Sequence, residues 1–385
     1  MNPNPVISAE EAAKLAAHPG VARGLPRKSY FDPEFHEAEL QHVFRENWVF
    51  AAIEADIAAP NSLRPVTVGG APVLLVRDSK SELRAFHNVC RHRGAMLATE
   101  PCAKVKRLMC PYHCWTYDLN GKLLATPHIG GHHQHKHDDF DKSTHGLLSM
   151  PVAVWAGMVF VNVSGTAPAF DDWLAPLIAR WAPFDLSLLR HGGVIPFNVK
   201  ANWKLAIENF AESYHLPNVH PGLTSYSPLE AHFDMRLSPQ LFGQGSLNYA
   251  PSPIDGRKLP VFPDIAADII TRAEYPILFP NAMIGLHSDH FFALIAHPTS
   301  PTTCVEEMHI WFIGDEAMDD RYAANRKDVA DRWKQINLED MGVVESMQVG
   351  RYSPVMDGGV FSPALDLCVY DFQNEVARRV LDGRR

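Results

Sequence analysis

Phe86-His87-Asn88-Val89-Cys90-Arg91-His92-Arg93-Gly94 contains Cys-x-His, and Cys110-Pro111-Tyr112-His113, with seventeen residues between His92 and Cys110, contains Cys-x2-His. Both pairs fall where a strand should end. Upstream, Val66 and Val68 alternate and Pro72 to Val76 is a short apolar run; downstream, Trp115 to Leu119, Asn120-Gly121 and Lys122 to Leu124 read as a hairpin with a type I′ turn. Val152 to Val163, interrupted by Gly157, reads as one or two buried strands. This stretch, Leu63 to Val163, predicts an all-β module whose two loop tips bring two thiolates and two imidazoles to one centre. A Cys2His2 zinc site uses the same donors. In a [2Fe–2S] cluster the cysteines hold one iron and the histidines the other. Each loop here contributes one Cys and one His, and this interleaving, unlike the Cys-with-Cys and His-with-His pairing of zinc fingers, favours the cluster.

The rest of the composition narrows the setting. A chain of 385 residues suggests two to three domains, and 46% hydrophobic with 21% charged residues is globular usage. A formal net charge of −9 argues against a nucleic-acid-coating role. The longest nearly unbroken apolar run, Val152 to Val161, is too short to span a membrane, and Met1 to Gly20 shows no apolar signal core. The expectation is a cytoplasmic protein with neither nucleic-acid nor membrane partners. Cys90, Cys102, Cys110 and Cys114 crowd into one short stretch, which fits a metal site better than a disulfide framework.

Beyond residue 165 the period changes. Asp171 to Trp181 places Trp173, Leu174, Leu177, Ile178 and Trp181 on one helical face. Ala201 to His215 reads as helix ending near Pro217, Leu241 to Ile313 as β-rich, and Asp315 to Gln348 as one long helix or two. The fold class is α+β. The expected domains are an N-terminal segment 1–44 packing with the catalytic part, the all-β module 45–165, and the larger α+β domain 166–385.

Within Asn202 to His220 the pattern is Glu212-x2-His215-x4-His220. Residues 212 and 215 are helical neighbours, but 215 and 220 lie about 140° apart on an ideal helix and cannot aim at one metal. Pro217 is expected to supply the break. Two neutral imidazoles need an anionic third ligand to form a 2-His-1-carboxylate triad for Fe(II). Spacing alone does not choose among Asp340, Glu339, Asp331 and Glu345.

Cys90-x-His92-Arg93-Gly94 and Cys110-Pro111-Tyr112-His113-x-Trp115-Thr116-Tyr117 resemble the Rieske signature of ring-hydroxylating oxygenases, and the Glu212 to His220 segment resembles that family's catalytic-iron motif. The resemblance covers most of the chain and implies an all-β Rieske domain inserted in a helix-grip-like α+β domain. It implies a [2Fe–2S] cluster on Cys90, His92, Cys110 and His113, and a mononuclear Fe(II) on His215, His220 and Asp340. It gives Glu212 a relay position between His113 of one subunit and His215 of the next, hence a homotrimer. Electrons would come from an NAD(P)H-dependent reductase, directly or through a ferredoxin, because neither Gly243-x-Gly245 nor any P-loop reads as a nucleotide site here. One departure is Cys114, where the family often has Gly; a small buried side chain is expected there.

The function implied is that of a terminal oxygenase component, using O2 to hydroxylate a small substrate. Glu212 resembles members acting on quaternary ammonium compounds, where N-methyl hydroxylation gives demethylation. The alternatives are an aromatic-ring or aromatic-acid hydroxylating dioxygenase, a Rieske electron carrier without oxygenase activity, and a zinc protein. Phe242, Asn281, His287 and Phe291 are candidate pocket residues without a ranking. The His-rich stretch His128, His132, His133, His135, His137 and His145 is expected to be a polar loop rather than a metal site.

Overall fold

A computed structural model describes residues 6–383. They divide into two compact units, one formed by 44–167 and the other by the chain before 44 together with the chain from 168 onward. None of its helices is long and apolar enough to cross a membrane.

Residues 44–167 build three small antiparallel sheets. Val152–Trp155 and Met158–Val161 form a hairpin, and the second strand, buried along its whole length, pairs with Val49–Ile53. Ala156 (φ 51°) and Gly157 (φ 75°) connect them, so the two-residue turn with both φ positive is Ala-Gly. Gly69 and Gly70 do the same between Ser62–Val68 and Ala71–Arg77. At Asn120-Gly121 only Gly121 has positive φ (85°), which corrects the type I′ expectation. Asp118 instead nucleates a longer turn: its carboxylate accepts from the Asn120 and Lys122 amides, both at 2.9 Å, and its carbonyl from Gly121 at 3.1 Å. The small sheets close over a core of Leu74, Val76, Phe86, Leu108, Trp115 and Tyr117, which also contains Cys90 and Cys110.

The other unit is built on a seven-stranded antiparallel sheet, in the order Leu189–Val199, Thr303–Ile313, His290–Ser300, Ala282–Leu286, Ala273–Leu278, Leu241–Ser246, His232–Ser238. Alternation along the strands separates two faces. Glu274 and Phe291 turn to one face, where Arg180 and Trp181, at the end of the helix Phe170–Arg180, bond Glu274 and Trp181 meets Phe291. Tyr275 and Phe292 turn to the opposite face and pack on Trp333 of the 28-residue helix Ala323–Gly350. This helix is single, preceded by two short 3-10 turns.

The N-terminal segment is locked into this unit by polar groups. Lys204, fully buried, reaches Glu39 Oε1 at 2.5 Å, Ser29 O at 2.8 Å and Asn202 Oδ1 at 2.8 Å. The Tyr30 hydroxyl donates to Glu208 at 2.7 Å and accepts from Gln373 at 3.2 Å, while Arg351 lies 3.7 Å from the same Glu208 carboxylate.

Candidate metal centres

The two Cys/His loops of the small unit are one turn used twice. The Cys90 amide donates to Ala95 O (2.8 Å) and the Gly94 amide returns to Cys90 O (3.1 Å); the Cys110 amide donates to Trp115 O (2.8 Å) and the Cys114 amide returns to Cys110 O (3.0 Å). The fifth residue of each loop is left-handed: Gly94 has φ 78° and Cys114 has φ 55°. Cys114 is exposed, so the expectation of a small buried side chain is corrected: the position favours glycine for its backbone. A non-glycine residue there costs about 1–2 kcal/mol, partly offset by the entropy glycine loses on folding. Cys114→Gly is therefore expected to raise the melting midpoint of this unit by about 2–4 °C. Bleaching of the cluster chromophore on heating measures it; a lower midpoint would contradict the backbone argument.

Cys90 and Cys110 are buried while His92 is exposed and His113 half-buried. The two Nδ1 atoms face each other at 3.1 Å. Metal–nitrogen bonds of about 2.0–2.1 Å span such a gap, so the two imidazoles fit one ion held between them, and the two buried thiols are the donors left for a second. Tyr117 is placed to donate to Cys90 Sγ (3.4 Å), and its oxygen accepts from the Arg91 amide at 3.1 Å.

In the larger unit, the Asn202 side chain caps the helix Trp203–Phe210 by accepting from the Lys204 amide. This helix ends well before Pro217. The Glu212 carboxylate accepts from the Tyr214 amide and, at 3.1 Å, from the His215 amide, turning the chain out of helix. His215 then caps the short helix Leu216–Val219, where Pro217 sits in the first turn and costs no hydrogen bond. The expected break at Pro217 is thus a start. His220 ends that helix and begins Pro221–Thr224, and this double role brings its ring to 5.2 Å from His215.

The ligating atoms of His215, His220 and Asp340 lie within 4.8 Å of one another. One oxygen, Asp340 Oδ1, is 2.9 Å from His220 Nε2 and 3.5 Å from His215 Nε2. On the far side of each ring stands its own carboxylate: Glu212 Oε1 at 2.7 Å from His215 Nδ1, and Glu339 Oε2 at 2.7 Å from His220 Nδ1. With the Nδ1 protons donated there, both Nε2 lone pairs converge on a carboxylate oxygen, an arrangement a cation satisfies. Burial works against charge on His220, and the Asp340 and Glu339 carboxylates outweigh it and raise its pKa. The carboxylates that spacing left open are separated by position. Glu339 faces the wrong side of His220 to share a metal, Asp331 pairs with Lys327, and Glu345 accepts from the Lys200 amide at 3.0 Å.

Beside Asp340, the residues Asn209, Phe210, Glu306 and Asn337 line a cavity of about 30 Å³. Burial pushes the Glu306 carboxyl up to about 7, and Asn337 donates to it at 2.9 Å. The same sheet face continues in aromatic rings: Phe210 meets Tyr275 and Phe292, which meet Trp333, which meets His287 and Tyr249. Of the candidate pocket residues, His287 belongs to this group. Phe242 packs on Phe372, Phe291 lies on the opposite sheet face, and Asn281 is buried with both side-chain polar atoms lacking a partner among the described residues. Sequence reasoning missed Trp333, although it stands seven residues, two helical turns, before Asp340 and so shares its face.

The His-rich stretch is an exposed loop. His128 Nδ1 accepts from the His133 amide (2.9 Å) and His135 Nδ1 from the His128 amide (3.1 Å). Their protons are thereby placed on Nε2, the form that does not ligate through that atom.

A sheet-and-long-helix unit with a two-histidine, one-carboxylate cluster, and a β module with two Cys/His loops, define a two-centre iron oxidoreductase architecture. Residues 186–382, just over half of the chain, match the family described as ring hydroxylating alpha subunit (catalytic domain), and residues 47–136 match the Rieske [2Fe-2S] domain. The chain belongs to the ring-hydroxylating alpha subunit family, whose two domains use a Rieske cluster and a mononuclear iron. It is similar to the oxygenase subunit of glycine betaine monooxygenase from Chromohalobacter salexigens, 38% identical over 52% of this chain and 43% of that protein, so the match spans less than half of that relative. It is also similar to the carnitine monooxygenase oxygenase subunit of Acinetobacter pittii, 26% identical over 87% of each chain. A crystal structure of a quaternary ammonium Rieske monooxygenase shares the fold, with TM-score 0.79 at 23% identity over 97% of this chain and 99% of that one.

Proposed function

We propose that the chain is the terminal oxygenase component of a Rieske system that oxidises an N-methyl group of a quaternary ammonium compound. One observation carries the reading: two imidazoles, each with its Nδ1 held by a carboxylate, aim Nε2 at Asp340 beside a wall of aromatic rings. The names of the similar proteins, which act on glycine betaine and carnitine, support the substrate class. The aromatic-acid alternative is not favoured by these similarities.

Cys90, Cys110, His92 and His113 would hold the cluster, and His215, His220 and Asp340 the mononuclear iron. Bound there, the two groups supply stored electrons and O2 activation. Glu212 and Glu339 keep the Nδ1 protons and so hold both rings in the ligating tautomer. Phe210, Tyr275, Phe292 and Trp333 offer π faces to a methylated cation and keep water from its surroundings. The balance is one O2, two electrons and two protons for one N–CH2OH and one water; the N–CH2OH group then releases formaldehyde, a proton and the tertiary amine. Electrons would come from an NAD(P)H-dependent reductase, directly or through a ferredoxin. In a homotrimer, Glu212 would link His215 to His113 of the partner subunit.

The test is O2 uptake by the iron-loaded protein with a reductase, over a panel of quaternary ammonium compounds and aromatic acids. One formaldehyde per O2 with a quaternary ammonium substrate is the expected result. Uptake with aromatic acids alone would reverse the substrate reading, and reducible cluster without any substrate-dependent uptake would return the protein to the electron carriers.

A further inference from the structure

Strand Ala282–Leu286 runs out at His287, whose amide donates to His290 O to close the turn into strand His290–Ser300. The two rings stack at 4.1 Å and 7°, yet their surroundings differ. His290 is fully engaged: its Nδ1 donates to Asp289 at 2.6 Å and its Nε2 accepts from the Trp333 indole at 2.8 Å. His287 is 2% exposed, and neither of its ring nitrogens has a partner among the described residues. Burial, with the Arg332 guanidinium nearby, holds it well below the ordinary imidazole value, so it is neutral, with one N–H to donate and one nitrogen to accept. Folded proteins rarely leave two such buried atoms unpaired, so a polar partner from outside the described residues meets them.

His287 stands between two environments. One is the aromatic group, with Tyr275 at 5.5 Å, Trp333 at 5.4 Å and Phe292 at 6.1 Å. The other is a cavity of about 160 Å³ that His287 lines together with Tyr249 and Arg332. Its charged lining is four cations, Arg257, Lys258, Arg272 and Arg332, against two carboxylates, Asp289 and Asp328. Asp289 is taken by His290 and Asp328 by Arg332, while another guanidinium nitrogen of Arg332 reaches Tyr249 Oη at 3.4 Å. A quaternary ammonium head has no N–H and cannot satisfy His287; it belongs on the aromatic faces. The opposite end of the ligand is what His287 meets.

We infer that His287, with Arg332, binds the carboxylate of a zwitterionic substrate and makes the enzyme select betaine-type compounds over quaternary ammonium alcohols. This rests on the proposed quaternary ammonium reading and adds to it which second functional group the substrate carries. The neutral imidazole donates to the carboxylate, the guanidinium supplies the charge, and the rings Tyr275, Phe292 and Trp333 take the methylated nitrogen.

The experiment is calorimetric binding to the full-length, metal-loaded protein of three probes: glycine betaine and carnitine, which carry a carboxylate, and choline, which carries a hydroxyl. The wild type should bind at least one carboxylate probe about tenfold or more tighter than choline. His287→Phe, which keeps the ring and deletes both nitrogens, should erase that preference by weakening the carboxylate probe while moving choline less than about threefold. It should also melt at or above the wild type, because two buried unpaired atoms are gone. Arg332→Gln, on the more exposed side, should move the preference in the same direction. A wild type that binds choline as well as the betaines overturns the inference and leaves the quaternary ammonium reading standing. So does a His287→Phe protein that keeps its selectivity, or one that loses all probes equally and melts lower, as a purely structural histidine would. Wild-type binding of none of the three overturns both.

Discussion

His215→Ala is expected to reduce bound iron from about three to about two per chain, leave the cluster's visible spectrum unchanged, and abolish substrate-coupled O2 uptake. The reasoning is positional. His215, His220 and Asp340 are the only group of three or more His, Cys, Asp or Glu donors whose ligating atoms converge this closely among the described residues. Deleting one leaves a two-donor site with a carboxylate, too few to hold Fe(II) against buffer. The cluster donors Cys90, His92, Cys110 and His113 belong to the other compact unit, so their chromophore reports independently. Iron analysis beside absorption spectroscopy separates the outcomes. Three irons retained, or turnover kept, would remove His215 from the site; a bleached spectrum would mean that the substitution had damaged the protein broadly.

The second large effect concerns stability. Lys204→Met should cost about 3–5 kcal/mol, because it strands the Glu39 carboxylate, 0% exposed, with the Trp203 indole (3.2 Å) as its remaining hydrogen-bond donor among the described residues. Burial opposes charge on both partners, raising the Glu39 pKa and lowering that of Lys204, and their mutual attraction makes the pair tolerable. Lys204 also lies over the Tyr30 ring at 4.8 Å and the Phe35 ring at 5.4 Å, contacts that a thioether only partly replaces. The melting temperature should fall on the order of 10 °C, and the double variant Lys204→Met with Glu39→Leu should recover most of it. A single variant within a degree or two of the wild type would show that the pair contributes nothing.

The motifs legible in the sequence were those closed by short loops. Cys90-x-His92, Cys110-x2-His113 and Glu212-x2-His215-x4-His220 sit on local turns, and donor type with spacing was enough to find them. Asp340 was out of reach of spacing because 120 residues and several strands of the sheet separate it from His220. The backbone device that joins the two histidines was misplaced for a related reason: Pro217 looks like a terminator, yet it is equally suited to the first turn of a helix, and only the Glu212 cap decides between these. Pocket residues were unreadable because His290 to Ala296 is buried on both faces, so hydrophobic alternation does not mark which of Phe291 and Phe292 faces the long helix. His287 stood among the candidate pocket residues without a rank; its significance is the lack of partners among the described residues, a tertiary property. The turn chemistry misled where Asp118 outcompeted Asn120-Gly121 and where Ala156 took a conformation its side chain does not advertise.

The split of the larger unit along the chain has a consequence for biosynthesis. Residues 44–167 are continuous and can fold as soon as they leave the ribosome. The larger unit cannot close at that stage, because Tyr30 waits for Glu208 and Gln373, and Glu39 waits for Lys204. During translation the nascent chain therefore holds a folded β module while the segment before it remains unmatched, and the larger unit closes only when the helix Leu367–Asp382, which carries Gln373, has been synthesised.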